Sequence, residues 1–245
     1  MKAVVVGATS GMGREVARQL AERGDALFLL GRDGEELVRS AADLEARGAP
    51  APVDHARCDL RDPREFEAAL DAADAALGEF DTVVITAGVF GTQEKLEEDP
   101  VLLGELLTTN FSGTILLCEA VRRRLLPRGG GTLCVFSSVA GDRGRKPVVL
   151  YGATKAGLSH YLEGLDHRYR SEGLVTVTVK PGFVRTNMTA GLPEPPFAGD
   201  ADAVARSVVQ ALDRGTPVVY VPSIWRLVMA VIRRLPRSVM RRVGF

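Results

Sequence analysis

The chain has 245 residues, 46% of them hydrophobic and 25% charged, with 31 basic and 31 acidic side chains and a formal net charge of zero. This is an ordinary globular composition with enough apolar surface for a large core, and the neutral balance argues against a dedicated nucleic-acid binder. The balance hides an asymmetry: Pro217 to Phe245 contains six arginines and no acid, so this tail carries +6 and the body −6.

Strand and helix patterns alternate from the start. Residues 2–7 (KAVVVG) form a short β-branched run, read as a buried strand. Helical spacing over 13–24 ends at Gly24, a residue suited to the turn after a helix. A second strand is expected at 26–31, a helix at 35–47 and a third strand within 53–60. Residues 63–77 read as a helix with Pro63 in its first turn. Then follow a strand at 81–88, a long helix at 102–126, a strand at 131–138 and a helix at 151–172. A sixth strand covers 174–182, a capped helix 200–215 and a seventh strand 217–221. The proline-rich piece 189–200 reads as a surface loop of the same unit. Strands separated by such helices imply right-handed crossovers. The expected fold is a single doubly wound α/β Rossmann domain over 1–221, a seven-stranded parallel sheet with helices on both faces. A basic amphipathic extension, 222–245, is not a domain of its own.

Three cysteines, Cys58, Cys118 and Cys134, are odd in number, widely spaced and without a CxxC pair. They read as reduced, buried thiols of a cytoplasmic protein. The apolar run Ala3–Val6 is too short for the core of a signal peptide, and no apolar run reaches bilayer-spanning length. His160 and His167 lack metal-ligand spacing, so no metal is expected.

Three stretches carry chemistry. Gly7, Gly11 and Gly13 follow the first strand directly, where a turn must bring backbone close to a pyrophosphate at a helix N-terminus. Arg32 ends the second strand, where an acid would select NAD(H); a guanidinium there favours the 2′-phosphate of NADP(H). Asp33 beside it keeps NAD(H) open. Tyr151 and Lys155 stand at i and i+4, on one helix face, among small residues. An ammonium so placed is expected to lower the phenol's pKa and make Tyr151 a general acid/base for a carbonyl or alcohol.

These stretches fall in order with others: Gly7-Ala8-Thr9-Ser10-Gly11-Met12-Gly13, Asp59-Leu60, Ala87-Gly88, Asn110, Ser137-Ser138, Tyr151 with Lys155, and Pro181-Gly182. The set resembles the short-chain dehydrogenase/reductase family along almost the whole chain. The resemblance implies that Ser138, 13 residues before Tyr151, polarises the substrate carbonyl while Ser137 is structural. It implies that Tyr151 protonates the oxygen, that Lys155 holds the nicotinamide ribose, and that Asn110 anchors a water in a proton relay. Asp59 and Leu60 would meet adenine, and Thr186 with Val184 the carboxamide. Ser10, Met12, Ala87, Gly88, Pro181 and Gly182 would complete the cofactor site. Val6 and the Ile85-Thr86-Ala87-Gly88 run depart from the family's usual Thr and Asn-Asn-Ala-Gly. A homodimer or homotetramer is expected by the same resemblance, through the helices at 102–126 and 151–172.

The tail is the unusual part. At 100° per residue Arg226, Arg233 and Arg234 fall within about 100° of one another, with Trp225, Val228, Val231, Ile232 and Leu235 opposite. Pro236 ends that helix, and a second short basic one follows. Such a segment suits an anionic membrane surface, or packing against the cleft or a subunit. It is similar to the tails of family members that reduce decaprenylphosphoryl-2-keto-ribose, and also to those of members acting on other lipids. Arg143 and Arg145, between Ser138 and Tyr151, are candidates for a substrate phosphate. The expected activity is reduction of a ketone or the reverse, with NADP(H) or NAD(H), on a lipophilic or lipid-linked substrate such as a polyprenylphosphate-linked keto-sugar. The enzyme would be cytoplasmic, with peripheral membrane contact through the tail. The alternatives are a soluble reductase of small ketones or 3-oxoacyl thioesters, and a non-catalytic NADP(H) sensor. The tail would otherwise be a protein-docking helix.

Overall fold

Along the first strand, β1 (Lys2–Val6), Ala3 and Val5 pack to one side and Val4 and Val6 to the other, and all four are buried. A strand buried on both faces belongs in a sheet covered twice. The computed structural model describes residues 1–50 and 52–243. Its further strands are β2 (Ala26–Gly31), β3 (Asp54–Arg57), β4 (Thr82–Ile85), β5 (Gly131–Phe136), β6 (Leu174–Pro181), β7 (Val184–Arg185), β8 (Gly199–Asp200) and β9 (Val218–Val221). Seven form one parallel sheet in the order β3-β2-β1-β4-β5-β6-β9.

Helices α1 (Gly11–Glu22) and α2 (Gly34–Ala46) follow β1 and β2, and α3 (Phe66–Leu77) follows β3. Next come α4 (Gln93–Glu98), α5 (Pro100–Leu107), α6 (Thr114–Leu125) and α7 (Val149–Tyr169), then α8 (Ala201–Arg214), α9 (Ile224–Ile232) and α10 (Arg237–Met240). Val16 and Leu20 of α1, Leu37 of α2 and Val208 of α8 fill one core. Leu70 of α3, Val121 of α6 and Leu162 of α7 fill the other. Strand order reverses between β1 and β4, and this leaves a crevice at the strands' C-terminal ends.

The expected single helix at 102–126 is three pieces. Between α5 and α6, Thr108–Gly113 winds as one wide π turn. The Thr114 hydroxyl donates to the Thr109 carbonyl at 2.7 Å across that turn. The turn carries Asn110 to full burial while Leu107 and Phe111 stay exposed. Gly113 permits it, because a Cβ there would overlap the Leu60 carbonyl oxygen. The whole run Pro100–Arg128 is long and apolar enough to cross a membrane, contrary to expectation, but Leu117 and Val121 spend that apolar face on the sheet.

The loop expected at 189–200 ends in β8, which pairs with β7. In the tail, Trp225, Met229 and Ile232 pack on Val139. The tail therefore differs from the expected helix in its rotation. Val231, expected on the same apolar face as Trp225 and Ile232, is 63% exposed, and Met229 is buried with those two residues instead. Residues 244 and 245 of the extension lie outside the described residues.

Two glycine substitutions test the π turn. Gly113→Ala is expected to cost about 1–3 kcal/mol or more through backbone overlap, lowering Tm by several degrees. Gly104→Ala, on α5 with open space around its Cβ position, is expected to raise or hold Tm in the same thermal scan.

Candidate active site

A groove runs along the C-terminal ends of β1, β2 and β4. Gly7, Ser10, Gly11, Met12, Gly13, Arg32, Asp59, Leu60, Ala87, Gly88 and Thr186 line it. Of the residues expected at the cofactor, Pro181, Gly182, Val184, Tyr151 and Lys155 are not in its lining.

The floor is made by close approach of backbones. Gly7 has a φ of +89°, and a Cβ on it would stand 2.8 Å from the Ala87 nitrogen and from Thr86 Oγ1. A Cβ on Gly13 would overlap both the Gly7 carbonyl and Thr86 Oγ1. Thr86, where the family pattern has Asn, donates its hydroxyl to the Val6 carbonyl at 2.9 Å and so ties β4 to β1. Ser10 makes no side-chain cap on α1, which leaves the first-turn N–H groups to a ligand. This cradle, which any side chain at 7 or 13 would fill, fits the pyrophosphate of a dinucleotide.

At the far end, Arg32 is exposed and forms no ion pair with a described carboxylate. Asp33 turns away from the groove: its carboxylate accepts from the Glu35 and Glu36 nitrogens at 3.0 and 3.1 Å, capping α2. Asp59 departs from expectation. Both its oxygens are engaged by Arg61, with Nη2 at 2.7 Å from Oδ2, and Arg61 reaches on to Glu105 at 2.6 Å. The Arg61 hydrogen bond holds the Asp59 carboxyl below its ordinary range.

Ser138 sits just beyond β5, with extended backbone; its hydroxyl accepts from the Ala140 nitrogen at 3.1 Å and donates to the Pro181 carbonyl at 3.4 Å. The Ser137 hydroxyl is spent on the Lys155 carbonyl (2.9 Å) and on Ser159 (2.7 Å). Tyr151 and Lys155 share one face of α7, with Lys155 Nζ 5.8 Å from the Tyr151 ring centre. That ammonium donates to the Phe136 carbonyl at 2.9 Å. Asn110 clamps Val89, accepting from its nitrogen and donating to its carbonyl, both at 2.7 Å. A Cβ on Gly88 would stand 3.2 Å from Asn110 Oδ1 and 3.7 Å from Lys155 Nζ. The groove and the Tyr151 face of α7 therefore meet at Gly88.

The acid–base balance differs from the expected one. Burial pushes the Tyr151 phenol up to about 12, with Ser138 opposing the shift through a hydrogen bond. Burial likewise lowers Lys155 to about 8. Desolvation, not the ammonium's attraction, sets the phenol.

Val184 is buried in β7, and its carbonyl accepts from Thr189 Oγ1 at 2.7 Å. Thr186 reaches across to Gly11, 3.5 Å from that residue's Cβ position. Gly182 is bare because the Trp225 indole lies on it. The two candidate substrate arginines part company: Arg143 donates to the Leu235 carbonyl at 2.9 Å, whereas the buried Nε of Arg145 has no hydrogen-bond partner among the described residues. Sequence reasoning passed over Thr86, Thr109, Asn187 and Met188 as groove residues, and Arg61 as the partner of Asp59. Thr86 was visible as a departure from the family pattern, and Asn187 and Met188 directly follow Thr186. Cys58, Cys118 and Cys134 are buried free thiols, and the described residues hold no cluster of metal-binding side chains.

The family model for short chain dehydrogenases matches residues 1–196. An uncharacterized oxidoreductase of Streptomyces coelicolor is 36% identical over 250 residues, covering 98% of this chain and 94% of its own. A putative ketoacyl reductase of granaticin polyketide synthesis from Streptomyces violaceoruber is 34% identical over 188 residues, 76% of this chain and 68% of its own. Among solved structures, a variant of actinorhodin polyketide ketoreductase with NADPH superposes with a TM-score of 0.80 at 26% identity, covering 89% of this chain and 94% of that one. The chain belongs to the short-chain dehydrogenase/reductase family and is an NAD(P)-dependent oxidoreductase.

Lys155 titrates at about 8 in the free protein and loses its charge above that. Tyr151 stays protonated throughout the neutral range. Reductive kcat/KM, which reports the free enzyme, is therefore expected to be level below about pH 8 and to fall as pH rises through it. A steady-state pH profile of kcat/KM for NADPH, measured with saturating ketone, reads this directly. A rate that rises through pH 8 would contradict it.

Proposed function

We propose that this protein uses NADPH to reduce a ketone to a secondary alcohol, and that the ketone is lipophilic. The observation that carries the reading is the convergence of the groove, Asn110 and Lys155 on Gly88, beside Tyr151 and Ser138. Bound NADPH supplies the hydride for the carbonyl carbon. The chain's own residues handle the oxygen. Ser138 donates a hydrogen bond to it and Tyr151 gives up its phenolic proton. Lys155, cationic below about pH 8, stabilises the phenolate left behind. Asn110 holds the Val89 backbone, and with it the wall of the groove beside Gly88. A phenol near 12 is a proton donor at neutral pH, which favours the reductive direction.

Two features support NADPH over NADH: Arg32 forms no ion pair with a described carboxylate, and the neighbouring Asp33 carboxylate is occupied as a cap. Exposed apolar side chains support a lipophilic substrate. Met188 stands on the groove, and Phe197 is held to α9 by a 3.3 Å hydrogen bond from Trp225 Nε1 to its carbonyl. Leu227 and Val231 lie on the outer face of α9 among Arg226 and Arg234. That basic, partly apolar face suits the anionic inner surface of a membrane, where a cytoplasmic enzyme would meet a lipid-linked ketone. The tail's likeness extends the reading to polyprenylphosphate-linked keto-sugars. A 3-oxoacyl substrate is the second reading, favoured by the likeness to a ketoacyl reductase. Self-association belongs to the same picture, through the exposed Leu107, Phe111 and Leu116 beside α7.

Fluorescence titration is expected to show NADPH binding at least about tenfold tighter than NADH, with Arg32→Ala removing most of the difference, as befits a charge-assisted pair. Tyr151→Phe is expected to keep NADPH binding while ketone reduction falls about 10²–10⁴-fold. A variant that keeps its rate would sink the catalytic reading. For the tail, co-sedimentation with phosphatidylglycerol vesicles is expected to pellet the full chain and not a chain ending at residue 221. Equal pelleting would remove the membrane contact.

A further inference from the structure

Most guanidinium groups in the body of the chain are answered by carboxylates, as at Arg18, Arg61, Arg124 and Arg185. Arg145 is not. Its Nε is shut off from solvent with no hydrogen-bond partner, and its side chain makes no ion pair with any described residue. The residue is only partly buried, so the two outer nitrogens of the fork, equally unbonded, remain open. The nearest acid is already engaged: Asp142 accepts from Lys180 Nζ at 2.6 Å and from the Tyr220 hydroxyl at 2.8 Å. Arg143, two residues away, is occupied by the Leu235 carbonyl.

A half-desolvated cation without a partner costs stability in the free protein. Burial works against the Arg145 charge, and Asp142 offsets it only in part. The position of this cost is informative. Arg145 lies on the link 139–150, whose two ends are Ser138 and Tyr151, the pair placed at the substrate oxygen. It leads into the short 3-10 turn Lys146–Val148, from which α7 starts. It does not line the cofactor groove, where Arg32 awaits the phosphate at the opposite end.

We propose that Arg145 binds an anionic oxygen group, phosphate or carboxylate, carried by the substrate at a distance from its carbonyl. This rests on the ketone-reductase reading and narrows it to anion-bearing ketones. A planar fork pairs with such a group through two parallel hydrogen bonds, and the substrate supplies the counter-charge that the fold withholds. Arg143 takes no part in that contact; it fastens the loop to the tail.

The test uses the holoenzyme with NADPH bound and titrates decyl phosphate and decanol by calorimetry. The wild type is expected to bind decyl phosphate at least tenfold more tightly than decanol. Arg145→Gln is expected to erase that preference, and Arg143→Gln to retain it. Inorganic phosphate at matched concentration is expected not to compete; competition would mean a free-anion site and overturn the assignment to substrate. Arg145→Met is expected to raise the Tm of the cofactor-free protein, the opposite of what loss of a structural arginine produces. Equal wild-type affinity for the two decyl compounds, a measurement that needs no variant to fold, overturns the proposal. So does a preference that survives Arg145→Gln. Wild-type reduction of 9-oxodecyl phosphate, a ketone that carries the anion, measured separately, tells the two failures apart. Turnover without the phosphate preference overturns the Arg145 assignment alone. Preference without turnover overturns the reading beneath it.

Discussion

The catalytic end of this protein depends on one buried ammonium. Lys155 is 4% exposed, and its charge is met by the Phe136 carbonyl at 2.9 Å and by the face of the Tyr151 ring. Desolvating an ammonium is expensive, so its few partners must be held firmly. The holding is done by backbone. Ser137 Oγ donates to the Lys155 carbonyl, and a Cβ on Gly141 would stand 2.6 to 2.7 Å from the Lys155 and Ala156 backbone. α7 is therefore pinned to the end of β5 at the residue that carries the charge. Tyr151, one turn earlier, takes its place from the same contact.

The cofactor groove uses the same economy of space on the other side of Gly88. Thr86 and the glycines at 7 and 13 bring β1, β4 and α1 closer than any side chain would allow. The π turn brings Asn110 into the gap by winding one residue too many between α5 and α6. These features are irregular in the way functional sites are. Each is supported by a tight contact elsewhere, Gly113 against Leu60 being the clearest.

Charge is distributed by a similar logic. The outer helices are laced with ion pairs, such as Arg124 with Glu67, Asp71 and Asp74. Exposed pairs of this kind contribute little each, but they leave few cations unanswered. Among the cations without an ion pair to a described carboxylate are Arg32 at the groove, Arg145 at the loop before α7, and the arginines of the tail. α9 links these regions, since Trp225 packs on Gly182 and reaches the Phe197 carbonyl, while Arg143 holds the Leu235 carbonyl.

Much of this was legible in the sequence. Alternating apolar strands and helices defined the doubly wound sheet, because period and turn residues are local properties. The glycine-rich turn and the Tyr151–Lys155 pair were legible for the same reason, whereas Ser138 entered only as what the family resemblance implies. Even the cap made by Asp33 lies within a single turn, although its bearing on cofactor choice emerges only when the carboxylate is seen to face α2. The tertiary structure decided the rest. The π turn depends on Leu60, 53 residues before Gly113. The tail's inward face is set by Val139, so Met229 and not Val231 is buried. Arg143 and Arg145 look alike in sequence and differ because a carbonyl 92 residues from Arg143 reaches only that one. Tyr151 and Lys155 are adjacent on paper as a phenol and a cation, yet their protonation follows burial, which no spacing encodes. Local pattern determined the elements and the chemistry they carry; long-range packing alone decided which charges are left without partners and which groups are kept dry.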